Sequence, residues 1–343
     1  MISPPGVTLL LLAACSAPPL AAPPSCVLAT DHLVPTDDGA TIALHHHPGR
    51  GAPVVLVHGI SSNATFWDLD HDHSLAAWLA REGFDPWVVD LRGHGRARRR
   101  DDGAPQISGW TVDDYGVHDV AAAVAYVRAV TGWRQVGYVG HSMGGMVGAI
   151  YVAAGGLDLS PAILVGSPAT FDRDAPLFEP ARVALGAAGT GLFWVESDLG
   201  GELAAALGPA VPGQLQYRLY NPKNFLPDTE RRMLRSVASP MSREEMQHFA
   251  RMLTHERFES ADGARDWTAD FRAVAPPVLA IAGGADEIGR PELVRPWVEG
   301  AAGPARYVEV AGYGHLDLGL GEDAERDVFP HIGEWLRAHP PTR

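Results

Sequence analysis

Apolar residues along the chain fall into two rhythms. Short unbroken runs, at Val54 to His58, Pro86 to Leu91, Val136 to Gly140, Ala162 to Gly166, Val278 to Ala282 and Tyr307 to Val310, predict strands buried on both faces. Between them lie stretches with helical spacing. Ser74 to Glu82 puts Leu75, Trp78 and Leu79 on one face and stops at Gly83, Val112 to Val130 closes at Thr131-Gly132, Gly144 to Ala154 is rich in small residues, and Asp327 to Ala338 ends the pattern. Ahead of them, Leu28 to Val34 and Thr41 to His47 flank Thr36-Asp37-Asp38-Gly39, where Asp-Gly predicts a hairpin because glycine tolerates positive φ. Strands alternating with helices predict an α/β fold, a mainly parallel central sheet flanked by helices on both faces. The alternation fails between Ser167 and Ala275, where patterns such as Arg243 to Leu253 are helical and no buried strand occurs. A structureless connection of that length is implausible. Residues 168–274 are therefore expected to form a helical cap over a core built from 25–167 and 275–343.

Composition narrows the function. Among 343 residues, 27 Lys+Arg stand against 41 Asp+Glu, a net charge of −14, which argues against a nucleic-acid or other polyanionic partner. The basic cluster of Arg96, Arg98, Arg99 and Arg100 runs straight into Asp101 and Asp102. The two cysteines, Cys15 and Cys26, leave the body of the chain without a disulfide framework or a thiolate metal site, and no metal or cofactor is expected. The apolar run Val7 to Ala14 is too short to span a membrane and suits a signal-peptide core. It ends in Leu12-Ala13-Ala14-Cys15, which resembles the bacterial lipobox. Residues 1–24 are accordingly expected to be leader and tether, with Cys15 lipidated and the protein exported and anchored to a membrane. A plain signal peptide cleaved near Ala22, giving a secreted or periplasmic protein, is the alternative. The absence of Lys or Arg before Arg50 departs from both export patterns.

The chemistry is concentrated in a few places. Gly140-His141-Ser142-Met143-Gly144 sits between a predicted strand and a small-residue helix, the context in which a tight turn projects a nucleophilic serine beside a helix N-terminus. The bland alternative is a glycine-rich connection that happens to contain serine. A serine hydroxyl needs a base, and His315, in the glycine-flanked loop Gly312-Tyr313-Gly314-His315 after the last strand, opens at the same sheet edge. His45, His46 and His47 alternate along a strand and cannot share one metal face. His58 and His94 read as loop architecture. The carboxylate that orients the base is expected to be Asp286, which comes directly off a strand end, with Glu287 and Asp317 as competitors. Backbone N–H groups of Met143 and Ile60 are the expected oxyanion donors.

These residues make the chain similar to the α/β-hydrolase superfamily, and within it to the acid-lipase-like branch that includes gastric and lysosomal lipases. The matching segments are Thr36-Asp37-Asp38-Gly39, His58-Gly59-Ile60, Ser74-Leu75-Ala76, Gly83-Phe84-Asp85-Pro86-Trp87, Leu91-Arg92-Gly93, Tyr138-Val139-Gly140-His141-Ser142 and His315-Leu316-Asp317. The resemblance implies hydrolysis of a small-molecule or lipid ester by Ser142, Asp286 and His315 beneath a helical cap. The cap itself has no recognisable similarity. Its Phe171, Phe178, Phe193 and Trp194, with Leu177 and Leu192, supply more apolar surface than a solvated loop needs, and are expected to line an acyl pocket. The same residues would serve an acyltransferase, and a surface-anchored binding protein could keep the fold without catalysis. An epoxide hydrolase or dehalogenase would need a carboxylate at position 142, so serine there argues against both.

Overall fold

A computed structural model describes residues 30–172 and 215–343. The strands are β1 (Thr30–Pro35), β2 (Thr41–His46), β3 (Pro53–Val57), β4 (Asp85–Asp90), β5 (Val136–His141), β6 (Leu159–Val165), β7 (Val278–Gly283) and β8 (Ala305–Val310). They form one sheet in the order β1-β2-β4-β3-β5-β6-β7-β8. The β1–β2 hairpin and the β2–β4 pair are antiparallel, and the other pairs are parallel. The helices are α1 (Leu75–Arg81), α2 (Val112–Asp114), α3 (Ala121–Thr131), α4 (Met143–Ala153), α5 (Pro227–Ser236), α6 (Arg243–His255), α7 (Trp267–Val274), α8 (Pro291–Val294), α9 (Asp317–Leu320), α10 (Ala324–Asp327) and α11 (Phe329–Ala338).

Strand alternation divides the apolar residues between two cores, because successive side chains point to opposite faces. Val55, Val57, Val89, Tyr138, Leu164 and Ala280 face one core, closed by Val124 and Val127 of α3, Met146 and Ile150 of α4, and Phe271 of α7. Val54, Leu56, Val88, Val139, Ile163 and Leu279 face the other, closed by Leu79 of α1 and by Phe329, Ile332 and Leu336 of α11. The central strands are thus covered on both sides, which is why they read as unbroken apolar runs. Of the segment 168–274, the described residues form helices joined by loops, with isolated bridges at Thr170 and Glu259. Its last helix, α7, packs on α4 as part of the layer over the sheet. Met233 of α5 and Tyr220 and Phe225 before it join the opposite core.

The expected helical pattern is interrupted at one place. The run expected as a continuous helix from Val112 to Val130 contains a π-helical stretch, Tyr115–Val120, between α2 and α3. It carries Asp119, whose carboxylate accepts from Arg92 Nε at 2.7 Å and from Arg92 N at 2.9 Å. The same guanidinium is bidentate to Asp38 in the β1–β2 turn, at 2.5 and 2.9 Å. Burial pushes Asp119 up to about 6 despite this pairing. The wider turn leaves the apolar stripe intact, so apolar periodicity carries no trace of it.

Candidate active site

Ser142 occupies the single residue between β5 and α4, with φ 52° and ψ −122°. Positive φ in a residue with a Cβ costs roughly 1–3 kcal/mol and persists only where the surroundings enforce it. Here they do. Ser142 N donates to Val165 O on β6 at 2.9 Å, and Gly145 N donates back to Ser142 O at 3.0 Å. The turn closes so tightly that a Cβ on Gly140 would lie 2.3 Å from the carbonyl carbon of Gly144, and one on Gly144 would lie 2.4 Å from Val57 O. Met143 opens α4, so its N–H has no acceptor within the helix. Ser142 is 5% exposed.

His315 lies in the loop between β8 and α9. Its Nδ1 is 2.8 Å from Asp286 Oδ2, and both side chains are buried. Asp286 follows β7, and its other oxygen accepts from Ile288 N at 2.7 Å and Gly289 N at 2.9 Å. The two competing carboxylates are engaged elsewhere. Glu287 pairs with Arg218 at 2.7 Å on the surface. Asp317 accepts from Gly314 N at 2.8 Å, Asn221 N at 3.0 Å and Asn224 Nδ2 at 2.6 Å. It ties the histidine loop to the inserted segment, and burial pushes its acid upward. The serine turn reaches the histidine loop through His141. Its Nε2 donates to His315 O at 3.1 Å, and its ring stacks on Phe66 at 4.0 Å and lies 4.5 Å from the His315 ring. Burial and the neighbouring histidines drive His141 well below the usual imidazole range, so it stays neutral.

The loop from His58 to Asn63 runs against the serine, since a Cβ on Gly59 would sit 3.0 Å from Ser142 Cβ. Ile60 is half-buried. His58 is buried, donating from Nδ1 to Gly59 O at 2.8 Å and accepting from Leu91 N at 3.3 Å. The far half of the loop is gripped by the chain that follows α5. Ser61, with φ 52°, donates from Oγ to Ser239 O at 2.8 Å and accepts from Ser239 N at 3.0 Å. Asn63 Nδ2 reaches Ser236 O at 2.9 Å and Val237 O at 3.1 Å. These gripping residues, with Asp317, Asn221 and Asn224, were not singled out in the sequence as supports, and only the buried polar character of the loop hints at them.

Phe171 is half-buried and meets Phe249 edge-on at 6.5 Å. Phe178, Phe193, Trp194 and Cys15 lie outside the described residues. His45, His46 and His47 each engage different carboxylates: Asp31 and Asp90, then Asp85, then Asp68. His94 is buried and holds Ser62 O through Nδ1 at 2.8 Å.

The structure thus brings the turn carrying Ser142 into contact, through His141, with a loop whose His315 imidazole is held by Asp286, an arrangement chemically suited to nucleophilic attack by serine. A family profile described as "alpha/beta hydrolase fold" matches residues 52–322. The chain is similar to human lipase member K, 30% identical over 127 residues that cover 33% of this chain and 32% of that protein. It is also similar to human gastric triacylglycerol lipase, 32% identical over 133 residues that cover 35% and 33% of the two chains. Each match therefore spans about a third of the length of these relatives. A thermophilic esterase from Thermogutta terrifontis, solved with malate bound, superposes with a TM-score of 0.65 at 23% identity, covering 90% of this chain and 99% of that one, a likeness of fold.

Proposed function

Because the chain belongs to the alpha/beta hydrolase fold family, we propose that it cleaves carboxylic esters through an acyl-enzyme on Ser142. The observation that carries the reading is the Asp286–His315 pair at 2.8 Å on a loop bonded to the residue before a strained serine. In this mechanism His315 Nε2 removes the Ser142 Oγ proton as Oγ bonds to the ester carbonyl carbon. Asp286 keeps the other imidazole proton on Nδ1 and stabilises the imidazolium. The N–H groups of Met143 and Ile60 receive the developing oxyanion. The imidazolium then protonates the leaving alcohol. Water, activated by the same ring, releases the acid and restores Ser142.

The substrate class we propose is a water-insoluble or amphiphilic ester, in keeping with the lipases to which the chain is similar. Phe171, Phe178, Phe193 and Trp194 would take the acyl chain, each CH₂ removed from water contributing about 0.8 kcal/mol. An ester series of graded acyl length tests both parts. Specificity constants that rise from acetate to medium-chain esters are expected, and a profile that peaks at acetate would overturn the acyl-pocket assignment. Loss of covalent fluorophosphonate labelling in Ser142→Ala is the companion test of the nucleophile. Lipidation of Cys15 and membrane attachment remain part of the proposal, tested by mass spectrometry of the mature N-terminus. An intact Met1 on soluble protein would refute it.

A further inference from the structure

A buried carboxyl group that the reaction does not use lies behind the Ile60 loop. Glu245, in the first turn of α6, has 0% exposure and no ion pair among the described residues. Its Oε2 is 2.8 Å from the Tyr115 hydroxyl and 3.2 Å from Ser242 N, and its Oε1 has no partner among the described residues. The Tyr115 oxygen also receives the Trp110 indole N–H at 2.7 Å and lies 3.0 Å from His94 Nε2. On the far side of that ring, Nδ1 is 2.8 Å from the carbonyl oxygen of Ser62, two residues beyond Ile60.

The proton count along this line has one complete solution. Ser62 O only accepts, so His94 Nδ1 carries a proton. Burial pushes His94 down to about 3, so the ring is neutral and Nε2 is an acceptor. Tyr115 has a single hydroxyl proton. If it turns to an ionised Glu245, His94 Nε2 faces a bare oxygen lone pair, and an anion with one unpartnered oxygen is left in an apolar interior. If instead Glu245 carries the proton, Oε2–H donates to the Tyr115 oxygen, which still accepts from Trp110. The Tyr115 hydroxyl is then free to donate to His94 Nε2, and the acceptor left bare in the ionised state gains its donor.

We infer that Glu245 is a positioning residue for the proposed ester hydrolysis, held as the neutral acid, whose proton orders Tyr115 and His94 and thereby fixes the loop that presents Ile60 N–H. Burial without a compensating cation acts in the same direction, pushing Glu245 up to about 7. The surrounding groups leave that balance intact. Asp119, behind Tyr115, is paired with Arg92. Beyond His94 lie His58, Asp90 and Arg98. On α6 itself, Glu244 accepts from Gly109 N and His248 donates to Glu259 O, while on α2, packed against α6, Asp113 accepts from Ala261 N and Trp267 Nε1. When Glu245 loses its proton to solvent, the Tyr115 hydroxyl turns toward the carboxylate, His94 Nε2 loses its donor, and the loop loses an anchor.

The test compares the full-length protein with Glu245→Gln, whose amide donates to Tyr115 at every pH. Wild-type kcat on an ester should fall about three- to tenfold, the worth of one positioned hydrogen bond, as pH rises through about 7, with KM nearly unchanged. E245Q should match wild type on the acid side and lack this decline, whereas Tyr115→Phe should be slow at every pH. An alkaline decline identical in wild type and E245Q, or absent from both, would overturn the inference. Two readouts do not depend on the proposed reaction. The infrared difference between wild type and E245Q just below that pH should contain one protonated-carboxyl stretch, which is lost as pH rises through about 7. Because the folded acid is raised from 4.5 to about 7, its stabilisation is complete below 4.5 and lost as pH rises through 7, so wild-type Tm should fall relative to E245Q across that window. Seeing both signals in a protein that hydrolyses no ester would refute the reaction and keep the protonated relay, whereas absence of the infrared band would refute the relay.

Discussion

The turn carrying Ser142 and the loop facing it meet at one point, yet they are held there by different means. The turn is fixed from within the sheet: Ser142 N bonds to β6, and Gly140 and Gly144 allow β5, α4 and the end of β3 to touch. Every partner belongs to the alternating core. The loop from His58 to Asn63 is fixed from outside. Ser61 and Asn63 are held by the chain after α5, and Ser62 is held by His94, which leads through Tyr115 to α6. The histidine loop combines the two. Asp286 comes off a core strand, while Asp317 fastens the loop to Asn221 and Asn224 in the inserted segment. Ser142, the proposed nucleophile, is therefore tied to the sheet, whereas Ile60, the proposed oxyanion donor, is tied to the insertion that grips its loop.

That contrast can be broken experimentally, and the largest effect should come from the sheet-held side. Ser142→Ala should lower kcat by on the order of 10⁴-fold or more while leaving Tm within a degree or so, because it removes one oxygen and relieves no packing. Steady-state kinetics with calorimetry checks both halves. Asp286→Asn should cost about 10³- to 10⁴-fold, since the ring then sits in the wrong tautomer. Glu287→Gln, which only removes a surface ion pair, should stay within about twofold. Equal losses in these two variants would reassign the acid. On the insertion-held side, Asn63→Ala should cost about 1–3 kcal/mol of stability by leaving the carbonyls after α5 unsatisfied. It should also lower kcat about tenfold with little change in KM. Amide exchange at Ser239 should accelerate in that variant, and unchanged exchange would show that the grip is dispensable.

The same contrast decides what could be read in the chain. The serine turn was legible because its requirements are local: two glycines, a strand before and a small-residue helix after. Asp286 and His315 were legible because each follows a strand, and strands announce themselves as apolar runs. The grip on the loop from His58 to Asn63 was not, because the partners of Asn63 lie 173 and 174 residues away. Glu245 shows the limit most plainly. Ser242 and Glu245 form a capping box, a pattern that normally marks an exposed helix start. Its burial follows from sharing a face with Phe249 and Met252, both in the core. The π-helical stretch at Tyr115–Val120 escaped for a similar reason, since one extra residue leaves the apolar stripe intact.

The two attachments on either side of α5 bear on how such proteins diversify. Asn221 and Asn224 join the segment to the histidine loop, and Ser236 to Ser239 join it to the loop before the first core helix. An insertion fastened on either side of α5 to two loops of the site is not an interchangeable module. A chimera that receives this stretch from another member of the family must receive matching residues at positions 61, 63 and 317 with it, or the graft will fold and still leave its new host idle.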